Sequence, residues 1–200
     1  HQLQLAPLRI VAHSLGGTVA LKYAGVFPED VERLVVIEGT GPPLIATEDR
    51  PTPPERLRSW IETGRGLAGR APRRYPSLDA AFHRMQEANP HLSPAQARHL
   101  TIHGADQNED GTYSWKFDNY VHLGTPHDLG PEETRGLWGR IDCPVLLITG
   151  SESWHRRQVD DEDIVANFKD ARHEVMQDAG HWVHHDQLDR FVELVDDFLA

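Results

Sequence analysis

Ala12-His13-Ser14-Leu15-Gly16-Gly17 joins an apolar run, Leu8 to Ala12, to a helix-like run, Thr18 to Phe27. A strand that enters a helix through so short a turn holds its central residue, here Ser14, in a strained backbone conformation with the side chain clear of the sheet. Bulky flanking residues would collide in such an elbow, and the flanks here are Ala12 and Gly16. Glycine is usual at both flanks; alanine adds one methyl group, which the turn is expected to accommodate. The plainer reading of Ser-Leu-Gly-Gly is a loop with a helix cap, since short glycine motifs recur by chance. The strand before and the helix after favour the elbow.

Outward from this turn, short apolar runs alternate with helical patterns, the mark of an α/β fold in which helices flank a parallel sheet. Strands are predicted near 8–13, 31–37, 144–149 and 172–177, and helices near 16–27, 156–169 and 185–199. In the last helix, Leu188, Phe191, Val192, Val195 and Phe198 recur at helical spacing and are expected to face the sheet. Between Gly39 and Asp142 the composition shifts, with Pro42, Pro43, Pro51, Pro53, Pro54, Pro72 and Pro76 crowded into its first part. So long a stretch cannot be a structureless connection in a compact domain. Helices are predicted at 54–63, at 78–88 behind Ser77, at 94–102 behind Ser93 with Pro94 in the first turn, and at 131–139. Residues 1–40 and 141–200 therefore form the core, and 41–140 a helical insertion.

Taken in order, the elbow, Val31-Glu32-Arg33-Leu34-Val35-Val36-Ile37-Glu38, Cys143-Pro144-Val145-Leu146-Leu147-Ile148-Thr149-Gly150 and Asp178-Ala179-Gly180-His181-Trp182 resemble the landmarks of the α/β-hydrolase family. The resemblance covers nearly all of the chain. It implies that the insertion forms a helical cap over an active site. It also implies strands ahead of the elbow strand, one of whose loops supplies half of the oxyanion hole. The chain opens at His1 with the elbow strand almost at once, so those strands are expected to lie outside it, leaving a strand edge that invites pairing.

A serine hydroxyl is a poor nucleophile until a histidine takes its proton and an acid orients that histidine. Among 13 histidines, His181 is singled out by the apolar strand and the Ala179-Gly180 turn before it, which match the family's histidine loop. His184 and His185, beside Asp186, are expected at the entry of the last helix or on the surface. The acid has two candidates. The commonest family pattern puts it three residues beyond Gly150, where Ser153 stands; Glu152 lies one residue away and reaches if the loop bends. The family's other pattern ends the strand after the elbow helix with the acid, and Glu38 stands there. A carboxylate closing the apolar run Leu34 to Ile37 is costly to bury without a partner. Glu38 is the preferred acid and Glu152 the alternative. The resemblance makes the backbone N–H of Leu15 one oxyanion donor.

With serine as nucleophile, the resemblance implies acyl transfer on a small-molecule substrate: carboxylic esters first, then thioesters, lactones or carbon–carbon hydrolysis of a diketone. The rival class is a hydrolase scaffold kept for binding. The stretch Gly111 to Tyr120, with four aromatics, reads either as a substrate wall or as ordinary packing of the insertion. No metal or other cofactor is expected, since the histidines lack ligand spacing. Twenty Lys and Arg against 31 Asp and Glu, a net charge of −11, argue against nucleic acid. The apolar runs fall far short of the ~20 residues of a membrane helix. The single cysteine, Cys143, excludes an internal disulfide, reads as a small buried residue, and suits a reducing, cytoplasmic setting.

Overall fold

The computed structural model describes residues 4–41, 49–126, 129–154 and 164–200. Contacts divide the chain into two compact units, His1–Thr47 with Leu129–Ala200, and Glu48–Asp128.

The first unit is built on four parallel strands, β1 (Leu8–His13), β2 (Val31–Ile37), β5 (Val145–Gly150) and β6 (Ala171–Met176), in the order β1-β2-β5-β6. The two central strands are buried on both faces, as a helix-covered parallel sheet requires. On one face Leu34, Val36, Val145 and Leu147 pack with Ala20, Leu21 and Ala24 of α1 (Leu15–Val26) and with Trp138 of α5 (Pro131–Trp138). On the other, Val35, Ile37, Leu146 and Ile148 meet Val195 and Phe198 of α7 (Leu188–Leu199). Each fully buried aliphatic side chain contributes about 1.5–3 kcal/mol relative to exposure. Two glycines bring α1 down onto the sheet: a Cβ at Gly17 would lie 2.8 Å from Gly39 Cα, and one at Gly39 would lie 2.7 Å from Ser14 O.

The register decides what gathers at one edge. His13 pairs with Ile37, Ile37 with Ile148, and Gly150 with Met176. The turns that follow all four strands therefore leave the sheet together at its carboxyl edge, where ligands are bound in open α/β sheets.

The second unit holds α2 (Pro53–Leu67), α3 (Leu78–Ala88), α4 (Pro94–Gly104) and a hairpin of β3 (Ala105–Gln107) and β4 (Tyr113–Trp115). Its helix starts follow local chemistry. The Ser77 hydroxyl oxygen accepts the N–H of Ala80 at 3.1 Å, and Ser93 with Gln96, like Thr52 with Glu55, forms a capping box. The hairpin is not foreseen, because three-residue strands are too short to show alternation. It absorbs half of the aromatic stretch: Tyr113 bridges to Tyr75, and Trp115 Nε1–H donates to Tyr75 Oη at 3.2 Å. Phe117 and Tyr120 are exposed.

The helix predicted at 131–139 is present as α5 but groups with the first unit, packed on α1. The helix predicted at 156–169 lies mostly outside the described residues; Ile164 and Phe168 at its end are buried in the core. The predicted helix 185–199 is two helices, α6 (Val183–Asp186) and α7, broken at Gln187 with φ −132° and ψ 54°. The Gln187 side chain donates to Asp178 O at 3.2 Å, so the break is tied to the preceding loop. Of the predicted face, Val195 and Phe198 are buried and Phe191 packs beside them, whereas Leu188 and Val192 are exposed and Leu194 and Leu199 take the vacant contacts.

Candidate active site

Ser14 follows β1 with φ 53° and ψ −123°, a conformation that a non-glycine residue holds only under constraint. Its N–H donates to Ile37 O at 2.8 Å, and its carbonyl accepts from the N–H groups of Gly17 and Thr18. Ala12 and Gly16 face each other across the turn, a Cβ at Gly16 lying 4.0 Å from that of Ala12. An alanine flank therefore fits at ordinary contact distance. Leu15 opens α1, and its N–H has no intrahelical acceptor because it is the first of the helix.

His181 lies beyond β6, on a loop pinned by Asp178 N–H to Ser151 Oγ (3.0 Å), Glu152 N–H to Ala179 O (3.0 Å) and Gly180 N–H to Asp186 Oδ2 (2.9 Å). No side chain fits at Gly150, where a Cβ would come within 2.3 Å of Ala179 O. So held, the His181 ring stands between Ser14 and Glu38. Its Nε2 is 3.0 Å from Ser14 Oγ and its Nδ1 is 3.1 Å from Glu38 Oε2. A carboxylate can only accept, so the shared proton sits on Nδ1 and leaves Nε2 to accept from the Ser14 hydroxyl.

Glu38 follows β2, also at positive φ (52°), and its side chain is fully buried. Burial of a carboxylate demands donors, and two more are supplied: Gly150 N–H to Oε1 at 2.7 Å and the Ser153 hydroxyl to Oε2 at 2.5 Å. Ser153 occupies the position where the commonest family pattern has the acid, and here it serves the carboxylate of another strand. Its role is missed from sequence because a buried serine after a strand carries no local signal. Glu152, the alternative acid, is exposed, and the carboxylate at His181 Nδ1 is Glu38.

Around this group lie side chains that the sequence placed elsewhere or passed over. His13 Nε2–H donates to His181 O at 2.8 Å, with its ring 4.8 Å from both His181 and His184. Burial holds His13 below the ordinary histidine range. His184, read as a helix-entry or surface residue, is partly buried against His13; desolvation first, then the neighbouring histidines, lower it to about 4. His185 packs on Trp182 and His184. Trp154 is 57% exposed with its ring 5.2 Å from His181. Cys143 is buried at the other end of β5, and its thiol is raised by desolvation. Among the described residues no cluster of three or more His, Cys, Asp or Glu could hold a metal ion, and no helix is long and apolar enough to cross a membrane.

The chain is 25% identical over 195 residues to Esterase Rv0045c of Mycobacterium tuberculosis, covering 93% of this chain and 58% of that protein. It is 27% identical over 202 residues to the mouse sn-1-specific diacylglycerol lipase ABHD11, covering 100% and 61%. It thus spans about three fifths of the length of these curated relatives. The crystal structure of the hypothetical protein PA1622 from Pseudomonas aeruginosa PAO1 superposes with a TM-score of 0.83 at 21% identity, over 99% of this chain and 69% of that one. The alpha/beta hydrolase family model matches residues 2–194, and the chain belongs to the alpha/beta hydrolase family.

Proposed function

We propose that this chain carries the catalytic residues of a serine hydrolase acting on carboxylic esters or related acyl compounds. The observation that carries the reading is the hydrogen-bonded relay Ser14 Oγ, His181 Nε2, His181 Nδ1, Glu38 Oε2, with links of 3.0 and 3.1 Å. Relatives named esterase and diacylglycerol lipase support it.

In this reading Ser14 Oγ attacks the substrate carbonyl carbon while its proton passes to His181 Nε2, and the Glu38 carboxylate stabilises the resulting imidazolium. The Leu15 N–H is one donor to the oxyanion, a contribution typically worth about 10²–10³ in turnover. His181 then gives its proton to the leaving alcohol oxygen, and the acyl-enzyme ester remains on Ser14. Water attacks that ester, its proton passes to His181 Nε2, and Ser14 Oγ departs and recovers the proton.

The test is labelling of the intact protein with a fluorophosphonate, alongside hydrolysis of p-nitrophenyl butyrate. Ser14 takes the label, and Ser14→Ala abolishes both signals while leaving the circular dichroism spectrum unchanged. A label on another residue, or a Ser14→Ala variant that keeps more than a few per cent of the activity, ends the assignment and favours a scaffold that binds without catalysis.

A further inference from the structure

Ser14 and His181 are 167 residues apart in sequence, yet they are joined twice. One link is the reacting hydrogen bond between Ser14 Oγ and His181 Nε2. The other runs from the preceding residue: His13 Nε2–H donates to the backbone carbonyl of His181 at 2.8 Å. The two links have different fates along the reaction path. Once Ser14 is acylated its hydroxyl no longer exists, so the first link is lost at the moment when His181 must accept a proton from water. The second link involves no reacting atom and persists.

We propose that His13 is a positioning residue for deacylation, a strut from the end of β1 to the His181 backbone that keeps the imidazole over the acyl ester after the serine–histidine hydrogen bond has gone. The inference rests on the assignment of Ser14 and His181 as nucleophile and base. In the acyl-enzyme the ring keeps one anchor of its own, Nδ1–H to Glu38 Oε2 at 3.1 Å. That bond fixes one ring edge and leaves rotation about it. Fixing the carbonyl of the same residue restricts where that rotation carries Nε2, and small misplacements of a reacting group are expensive.

Chemistry also suits His13 to the place. A carbonyl oxygen only accepts, so the His13 proton must sit on Nε2. Burial favours the neutral imidazole and outweighs the opposing pull of the hydrogen bond to His181 O. A neutral ring 4.8 Å from His181 adds no positive charge beside the imidazolium that forms there. The other groups facing it, His184 and His185 of α6 and the Glu38 carboxylate after β2, leave that balance in place. A lysine or arginine could make the same hydrogen bond only by placing a full charge next to that imidazolium.

The experiment is stopped-flow hydrolysis of p-nitrophenyl acetate by the intact protein, which reads acylation as the burst and deacylation as the steady rate. His13→Leu removes the donor at similar volume; His13→Gln keeps an N–H donor of comparable reach; His13→Asn keeps the amide but is too short to span the gap. In His13→Leu the steady rate falls about tenfold, the fold-change of one ordinary hydrogen bond, while the burst rate changes less than threefold. His13→Gln retains the wild-type steady rate within threefold. If His13→Leu does not fold, the contrast between His13→Gln and His13→Asn carries the same test. Equal loss in burst and steady rate, equal loss in the Gln and the shortened variants, or no loss at all overturns the proposal. Absence of a burst and of fluorophosphonate labelling in the wild-type protein would instead overturn the nucleophile assignment, which separates the two failures.

Discussion

Replacing Glu38 by glutamine keeps the volume and the unusual backbone of this residue and changes only its hydrogen-bonding capacity. The carboxylate accepts from Gly150 N–H at Oε1 (2.7 Å) and from both the Ser153 hydroxyl (2.5 Å) and His181 Nδ1–H (3.1 Å) at Oε2. An amide offers one oxygen and one NH₂ group. If its oxygen stays on Gly150, the NH₂ confronts His181 and drives the ring to the tautomer with the proton on Nε2, which cannot take a proton from Ser14. That failure is worth up to about 10⁴ in turnover, or about 5.4 kcal/mol at 1.36 kcal/mol per tenfold. If the oxygen instead turns to His181, the NH₂ faces the Gly150 N–H, and a buried donor without an acceptor costs about 1–3 kcal/mol. The charge that stabilises the imidazolium is lost either way. The expected outcome is a fall in kcat of about 10²–10⁴, with KM nearly unchanged because the Glu38 side chain has no exposed surface with which to touch substrate. Steady-state hydrolysis of p-nitrophenyl butyrate by the intact protein measures both constants, and Glu152→Gln, at an exposed position, stays within about twofold. A Glu38→Gln variant that keeps more than about a tenth of the wild-type kcat, or a Glu152→Gln variant as damaged as it, would refute the reasoning.

Two further outcomes follow from the packing of the same region. Gly150→Ala forces a methyl group to within 2.3 Å of Ala179 O and 2.4 Å of Gly180 O; it is expected to lower the urea midpoint and to move the His181 loop, so activity at 25 °C falls even where the variant is folded, and a variant of wild-type stability and rate would contradict the close approach. Protonation of His184 is disfavoured in the folded state, where burial lowers it to about 4, so its contribution to stability is complete above the unfolded value near 6.5 and is lost as pH falls through that window toward 4. Urea titrations at pH 7, 5.5 and 4.5 should show that loss, and His184→Gln should show less of it; an unchanged acid sensitivity in the variant would count against the assignment.

The features legible in the chain by itself are those set by local physics. The elbow follows from Ala12 and Gly16 flanking Ser14 between a strand and a helix; the starts of α3 and α4 follow from Ser77 and Ser93, whose hydroxyls satisfy free N–H groups one turn on. Runs such as Val31 to Ile37 read as strands because both faces are buried. Where local pattern was thin, structure departed from it: the β3–β4 hairpin is too short to alternate, and the break at Gln187 answers to a hydrogen bond with Asp178. The site depended on tertiary structure for its selection. Along the chain Glu38 is the preferred acid and Glu152 stays open as the alternative; the register of β2 beside β5 puts Glu38, 143 residues from His181, under the imidazole and brings Gly150 and Ser153 to hold it. His13 likewise became a partner of His181 only when the loop after β6 folded back over the end of β1. Capping, turns and periodicity act over a few residues and are written in the order of the chain. The choice among distant polar groups is made by strand register and by the cost of burying a charge without donors, and neither is expressed until the sheet has formed.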